Sequence, residues 1–254
     1  MDGTVLYEKK AAIALITINR PKVKNPLNIE VFRALDEILD RIAVDDDVRV
    51  TVVTGAGETF VAGADVNELL TFDSTTAWSS SRFQQSVFTK LERLGKPSIA
   101  AINGHALGGG LELALSCTLR VASTKARLGF PELGLGIIPA FGGTERLVRT
   151  VGHAKAVELI LLGASIGGEE ALKIGLVNRA VEPHFVLEEA NTMAQALSLL
   201  SPLAVRLELE LLCETDRSRL DGGFALESAL GALAVSSPRA KALLQMFSSK
   251  RRDT

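Results

Sequence analysis

Cysteine, histidine and the large aromatics are scarce in this chain: its 254 residues hold two cysteines, three histidines, one tryptophan and one tyrosine. Cys117 and Cys213 stand far apart in leucine-rich surroundings, which suits buried thiols in a reducing compartment better than a disulfide framework or a nucleophile. His105, His153 and His184 stand singly, without His/Cys ligand spacing, so no metal is expected. Charge of one sign is lacking too: 28 basic and 30 acidic side chains nearly cancel, and the one basic cluster is the tail Lys250-Arg251-Arg252. That is too little for a nucleic-acid footprint. The start, Met1 to Leu6, has neither the basic stretch nor the apolar run of a secretory signal, and no run is apolar enough to span a bilayer. A soluble, cytoplasmic protein is expected, with neither nucleic acid nor membrane as partner.

What the chain does have is a hydrophobic content of 47%, enough for one large core. Its first third alternates β-branched runs with helical patterns: a strand over Ala12 to Ile18, an amphipathic helix over Ile29 to Ile42, and a strand over Val48 to Val53. The class is therefore α/β. Between the first strand and the helix, Pro21 and Pro26 stiffen a loop and Asn28 can cap the helix. Asp65 to Leu70 can form a short helix, and another helix is expected from Thr89 to Leu94. Asp73 to Ser81, rich in Ser and Thr with only Trp78 as a large apolar anchor, is expected to be the most mobile segment. The central pattern is strand Ser98 to Ile102, a glycine loop, and a helix over Leu111 to Cys117. From about Pro202 only helical periodicity remains, over Ala204 to Glu214, Phe224 to Val235 and Ala240 to Phe247. Strand-strand-helix units recur without a consensus repeat.

Gly108-Gly109-Gly110 directly before Leu111-Glu112-Leu113 lets backbone approach a ligand, and the helix that follows aims free N–H groups at it. An oxyanion fits such a place; preorganised donors contribute about 2.7–4 kcal/mol each to a transition state. The plainer alternative is close strand-helix packing. Glu112 is a lone acid in an apolar turn, and Glu132 in Phe130-Pro131-Glu132-Leu133-Gly134 is another. Two carboxyls in apolar settings serve proton shuttling, because burial pushes their proton affinities apart. A glycosidase pair is a formal alternative, but one tryptophan and one tyrosine make a poor sugar platform. Gly55-Ala56-Gly57-Glu58-Thr59-Phe60 begins like a dinucleotide fingerprint and fails where Phe60 replaces the third glycine; no Gly-Lys-Ser/Thr loop occurs.

Four segments in order, Asn19 to Leu27, Phe60 to Asp65, Asn103 to Glu112 and Phe130 to Arg146, together resemble the crotonase (enoyl-CoA hydratase/isomerase) superfamily over nearly the whole chain. The resemblance implies a spiral of ββα units over residues 1–200 carrying an acyl-CoA site, and a C-terminal helical region, 201–254, that builds trimers or dimers of trimers. It implies backbone donors at Ala64 and Gly109 for the thioester oxygen. Glu112 and Glu132 would hold a water and pass its proton to C2 while its oxygen attacks C3. Coenzyme A, present only as part of the substrate and not as a prosthetic group, would lie along Val23, Lys24, Ala62, Ala64, Asp65 and Val66, with Phe247 and Lys250 reaching the adenine end in a neighbouring subunit. Both acids present favour an enoyl-CoA hydratase for short to medium acyl chains over a double-bond isomerase or a non-catalytic acyl-CoA binder. Departures from the family pattern are Ala140 in place of a frequent glycine, Glu145 in place of glutamine, and Asn67 in place of a lysine.

Overall fold

The structure is a computed structural model and describes residues 3–214, 228–229 and 231–250. The chain opens with a hairpin in which β1 (Val5–Lys10) pairs antiparallel with β2 (Ile13–Ile18). Burial alternates along β2, placing Ala14, Ile16 and Ile18 on the core face, as a period of two requires. The crossover helix α1 (Ile29–Val44) starts at Asn28, whose side chain accepts from the Val31 N–H. It buries Val31, Phe32, Leu35, Ile38, Leu39 and Ile42, a single stripe in which each large side chain contributes about 1.5–3 kcal/mol. It returns the chain to β3 (Val50–Gly55), parallel to β2 and buried throughout.

Three similar units follow. In each, the first strand joins one sheet, the second joins another, and a helix closes the turn. β3 leads to β4 (Thr59–Val61), α2 (Val66–Leu69) and α3 (Ser74–Glu92). Next come β5 (Ser98–Ile102), β6 (His105–Leu107) and α4 (Gly109–Leu115), and then β7 (Leu119–Ser123), β8 (Arg127–Gly129), α5 (Gly143–Val151) and α6 (His153–Leu161). After β9 (Ser165–Gly167), α7 (Gly168–Lys173), β10 (Arg179–Val181) and α8 (Val186–Ser198), the two sheets read β1-β2-β3-β5-β7-β10 and β4-β6-β8-β9. This is the expected spiral of ββα units. Stacking the units brings their corners into contact: a Cβ on Gly104 would lie 1.9 Å from the Glu58 carbonyl oxygen, so only glycine fits. The main core lies under α1, α3 and α4, while Val186, Ala190 and Ala194 of α8 cover the other face of the larger sheet at Val50, Val52, Ile99 and Val121.

The segment Asp73 to Ser81, expected to be the most mobile, is the cap and first two turns of α3. Asp73 and Thr76 form a reciprocal capping box, which satisfies the first free amides and fixes the helix start. The inward face runs Ala77, Ser81, Gln84, Phe88 and Leu91, helical spacing disguised by two polar members. Trp78 is no anchor, being 46% exposed.

At the C-terminal end lie α9 (Pro202–Glu214), helical residues 231–236, and α10 (Pro238–Lys250). Of the expected helix Phe224 to Val235, residues 224–227 and 230 lie outside the described residues. Ala232, Val235, Ala240 and Leu244 pack with Val66, Ala77 and Ile137, and Phe247 lies against the same cluster. Lys241 Nζ donates to the carbonyls of Leu69, Leu70 and Phe72. The C-terminal helix is thereby tied to the loop after α2 in its own chain.

Candidate active site

Glu112 sits in the first turn of α4 with 1% of its surface exposed. Its Oε1 accepts two backbone hydrogen bonds, from Phe141 N–H and Gly143 N–H, both at 2.8 Å. Burial pushes the carboxyl up to about 7; the two amides and the nearby Arg146 guanidinium pull the other way. Burial thus outweighs hydrogen bonds that favour the anion.

The strap that supplies these amides is itself held in place. Gln85 Nε2 donates to the Ala140 carbonyl at 3.0 Å, and Arg146 Nη1 to the Phe141 carbonyl at 3.1 Å. The Phe141 ring packs edge-on against Phe32 and Phe88. Arg146, only 1% exposed, also donates from Nε and Nη2 to Glu92 at 3.1 and 2.9 Å, and Arg149 meets the other oxygen of Glu92 at 2.8 Å. Burial raises the Glu92 carboxyl, but the two guanidinium groups prevail and hold it below its ordinary value. With its carbonyls at 140 and 141 fixed, the strap turns its amides toward Glu112.

Glu132 opens a short 3-10 turn after Pro131 and is 8% exposed. It comes against the glycine triplet: a Cβ on Gly108 would stand 2.4 Å from Glu132 Oε1. Gly108 also has φ +51, so both space and backbone demand glycine there. The two acids predicted from sequence therefore share one cavity, lined also by Ala64, Gly109, Ala140 and Phe141. Its volume is about 50 Å³, room for a few waters. A larger cavity of about 730 Å³ under α9 has neither Glu112 nor Glu132 in its wall.

Ala64 and Gly109 also meet. A Cβ on Gly109 would lie 3.5 Å from the Ala64 nitrogen and 2.9 Å from the Phe141 ring, so glycine keeps the space before that amide clear. The bridge between Leu27 and Ala64 uses the Gly63 carbonyl and the Asp65 amide, leaving the Ala64 N–H outside it. Gly109 is the first residue of α4, where an N–H has no partner within the helix. Two donors beside two buried carboxyls can stabilise an oxyanion while protons move.

The residues expected along coenzyme A are neighbours in part. The Ala62 N–H donates to the Lys24 carbonyl at 3.1 Å, which joins the first loop to the 62–66 segment. Val23 is exposed, and Val66 is buried against the C-terminal cluster. Asp65 caps α2 and pairs with Arg20 at 2.9 Å, so its carboxylate is engaged within the chain. Phe247 packs against its own chain, and the Lys250 side chain lies outside the described residues. Asn67 accepts from Ser248 Oγ at 2.9 Å. Cys117 is buried and its thiol is pushed up to about 12, which makes it inert as a nucleophile; the Cys213 side chain lies outside the described residues.

Sequence reasoning did not assign the Phe141 and Gly143 amides, the steric role of Gly108, or the Arg146–Glu92–Arg149 cluster. The local sequence, Thr144-Glu145-Arg146-Leu147-Val148-Arg149, gives no sign of a buried arginine, because polar and charged neighbours flank it on both sides.

A sequence model described as enoyl-CoA hydratase/isomerase matches residues 8–254. A short-chain-enoyl-CoA hydratase from Clostridium acetobutylicum is 41% identical over 251 residues, covering 98% of this chain and 96% of that protein. A crotonyl-CoA hydratase from Syntrophomonas wolfei is 36% identical, covering 98% and 96%. Among solved structures, an enoyl-CoA hydratase from Bacillus anthracis superposes with a TM-score of 0.81 at 34% identity, covering 97% of this chain and 96% of that one.

Proposed function

The chain belongs to the enoyl-CoA hydratase/isomerase family, and from that premise we propose that it is an enoyl-CoA hydratase, a carbon–oxygen lyase that reversibly adds water to a trans-2-enoyl-CoA to give the 3-hydroxyacyl-CoA. The observation that carries the reading is the meeting of Glu112 and Glu132 in one small cavity with the amides of Ala64 and Gly109. The thioester oxygen rests on those two N–H groups. As water oxygen bonds to C3, the carbon–carbon π electrons move toward the thioester and the oxygen becomes enolate-like, which the two donors stabilise. Glu112 takes the water proton: its Oε1 is committed to Phe141 and Gly143, so Oε2 is the oxygen left for water. Glu132, whose carboxylate lies against Gly108 of the glycine triplet, delivers a proton to C2. The balance is one water consumed, with OH on C3 and H on C2, and the proton left on Glu112 passes to Glu132 to restore the pair.

Coenzyme A enters as part of the substrate, laid along Val23, Lys24, Ala62, Ala64, Asp65 and Val66, with Phe247 and Lys250 toward its adenine end. No prosthetic group or metal takes part in this scheme. Among the described residues no three His, Cys, Asp or Glu side chains gather as metal ligands, and no helix is long and apolar enough to cross a membrane. The working form is cytoplasmic and self-associated as a trimer or a dimer of trimers, with 1–200 as the acyl-CoA core and 201–254 as the assembling region. Exposed Leu203, Leu207 and Leu211 on α9 support such an assembly. The test is purified protein with crotonyl-CoA, following loss of the ultraviolet absorbance of the conjugated enoyl thioester. Bleaching with formation of 3-hydroxybutyryl-CoA is expected; binding without bleaching would end the hydratase assignment.

A further inference from the structure

Two adjacent glutamines on α3 have opposite fates. Gln85 is engaged: it donates to the Ala140 carbonyl and accepts from Ser228 Oγ at 3.0 Å and from Arg82 Nη1 at 3.2 Å. Gln84 is just as buried, at 2% exposed, and its side chain makes no hydrogen bond to any described residue; the same holds for Ser81, 6% exposed and one turn earlier. Both line the cavity that contains Glu112, Glu132, Ala64 and Gly109. Their polar atoms open onto that cavity and are not sealed in the core, so a ligand that displaces water from it must answer them, because an amide or hydroxyl left without a partner is costly. Where such groups face a ligand cavity, the ligand can supply the partner. Apart from these groups and the two acids, the wall formed by the described residues is apolar, with Leu69, Phe72, Ile138 and Val235 in it, and among the described residues no Lys, Arg or His contributes.

We propose that Ser81 and Gln84 form a hydrogen-bonding end to the acyl pocket, and that the preferred enoyl thioester carries a neutral polar group, a hydroxyl or a carbonyl, on its acyl chain beyond C3. This rests on the hydratase reading of the same cavity. With the thioester oxygen at Ala64 and Gly109 and C2–C3 between the glutamates, the remaining chain has only the rest of this wall to meet. A plain alkyl end would leave the amide and the hydroxyl unpaired, while a hydroxyl can donate to and accept from both. A carboxylate is disfavoured in the role, because it would face two glutamates with no cation among the described residues of the wall to balance it. The small volume keeps the chain short.

The experiment compares two thioesters of nearly equal size, pent-2-enoyl-CoA and 4-hydroxybut-2-enoyl-CoA, with crotonyl-CoA as the reference. The readout is the ratio of kcat/KM for the hydroxylated over the alkyl substrate, in wild type and in Ser81→Ala, Gln84→Met and the double variant. Wild type is expected to favour the hydroxylated substrate, and the double variant to lower that ratio by on the order of 10–100-fold, with each single variant partway. Because the smallest change, Ser81→Ala, must already move the ratio, the outcome does not depend on the double variant folding. Crotonyl-CoA hydrated normally with a ratio that no variant moves would overturn the polar pocket and leave the hydratase standing. An equal loss on both substrates would overturn it too, by assigning the pair to the attacking water. If none of the three thioesters is hydrated, the hydratase reading falls and takes this proposal with it.

Discussion

Replacing Glu112 with glutamine tests whether this carboxyl is the sheltered proton acceptor. Burial raises it from an ordinary 4.5 to about 7, a displacement equivalent to roughly 3 kcal/mol. A raised carboxyl favours the protonated form in the folded protein. The wild type therefore loses stability as pH rises from about 4.5 through 7, and loses nothing more above that. Glutamine keeps an Oε1 acceptor for Phe141 and Gly143 but does not titrate. Urea denaturation of both proteins at pH 5 and pH 8 should thus show the variant gaining on the wild type toward high pH, by up to about 3 kcal/mol. Activity moves the other way. Wild-type kcat/KM for crotonyl-CoA should fall as pH drops below about 7, where the acceptor becomes protonated, and the variant should be slower by about 10²–10⁴. The same pH slope of stability in both proteins, with wild-type activity flat across neutrality, would show that Glu112 is not the sheltered proton acceptor.

The same geometry sets three further expectations. Gly108→Ala puts a methyl 2.4 Å from Glu132 Oε1 on a backbone at φ +51, so it should lower kcat by about 10²-fold through displacement of that acid; steady-state kinetics and a thermal melt check this. Gly143→Ala sets a Cβ 2.6 Å from Glu112 Cγ and should destabilise by about 1–3 kcal/mol while lowering kcat more than it changes KM. Arg146→Met leaves Glu92 half-answered and frees the Phe141 carbonyl, costing about 3–5 kcal/mol in urea unfolding; Arg146→Lys should recover part of that. A wild-type urea midpoint in Arg146→Met would show that the buried cluster does not hold the strap.

Much of the frame was legible because it obeys simple periods. Ile13–Ile18 alternates, Ile29–Val44 repeats at helical spacing behind an Asn cap, and Ser98–Ile102 is a buried strand with the expected bounds. The helix after the glycine triplet begins at Gly109 instead of Leu111, because the triplet supplies its first turn. Strands such as Thr59–Val61, His105–Leu107 and Arg127–Gly129 are three residues long, too short for a period of two to stand out. The start of α3 was missed because Ser81 and Gln84 occupy positions where a core helix ordinarily carries Leu or Val, and local pattern cannot reveal that a cavity lies opposite.

By itself the sequence determined the α/β alternation, the placing of a glycine triplet at a helix N-terminus, and the isolation of two acids among apolar neighbours. Each is a property of a short stretch, set by backbone sterics and side-chain polarity. Tertiary structure alone decided that Phe141 and Gly143 direct their amides to Glu112, that Gly108 sets the space for Glu132, and that Gln85 is paired while Gln84 is not. Those outcomes depend on residues 24 to 143 positions apart meeting within a few ångströms, and only the stacking of the ββα units and the docking of the C-terminal helices bring them together.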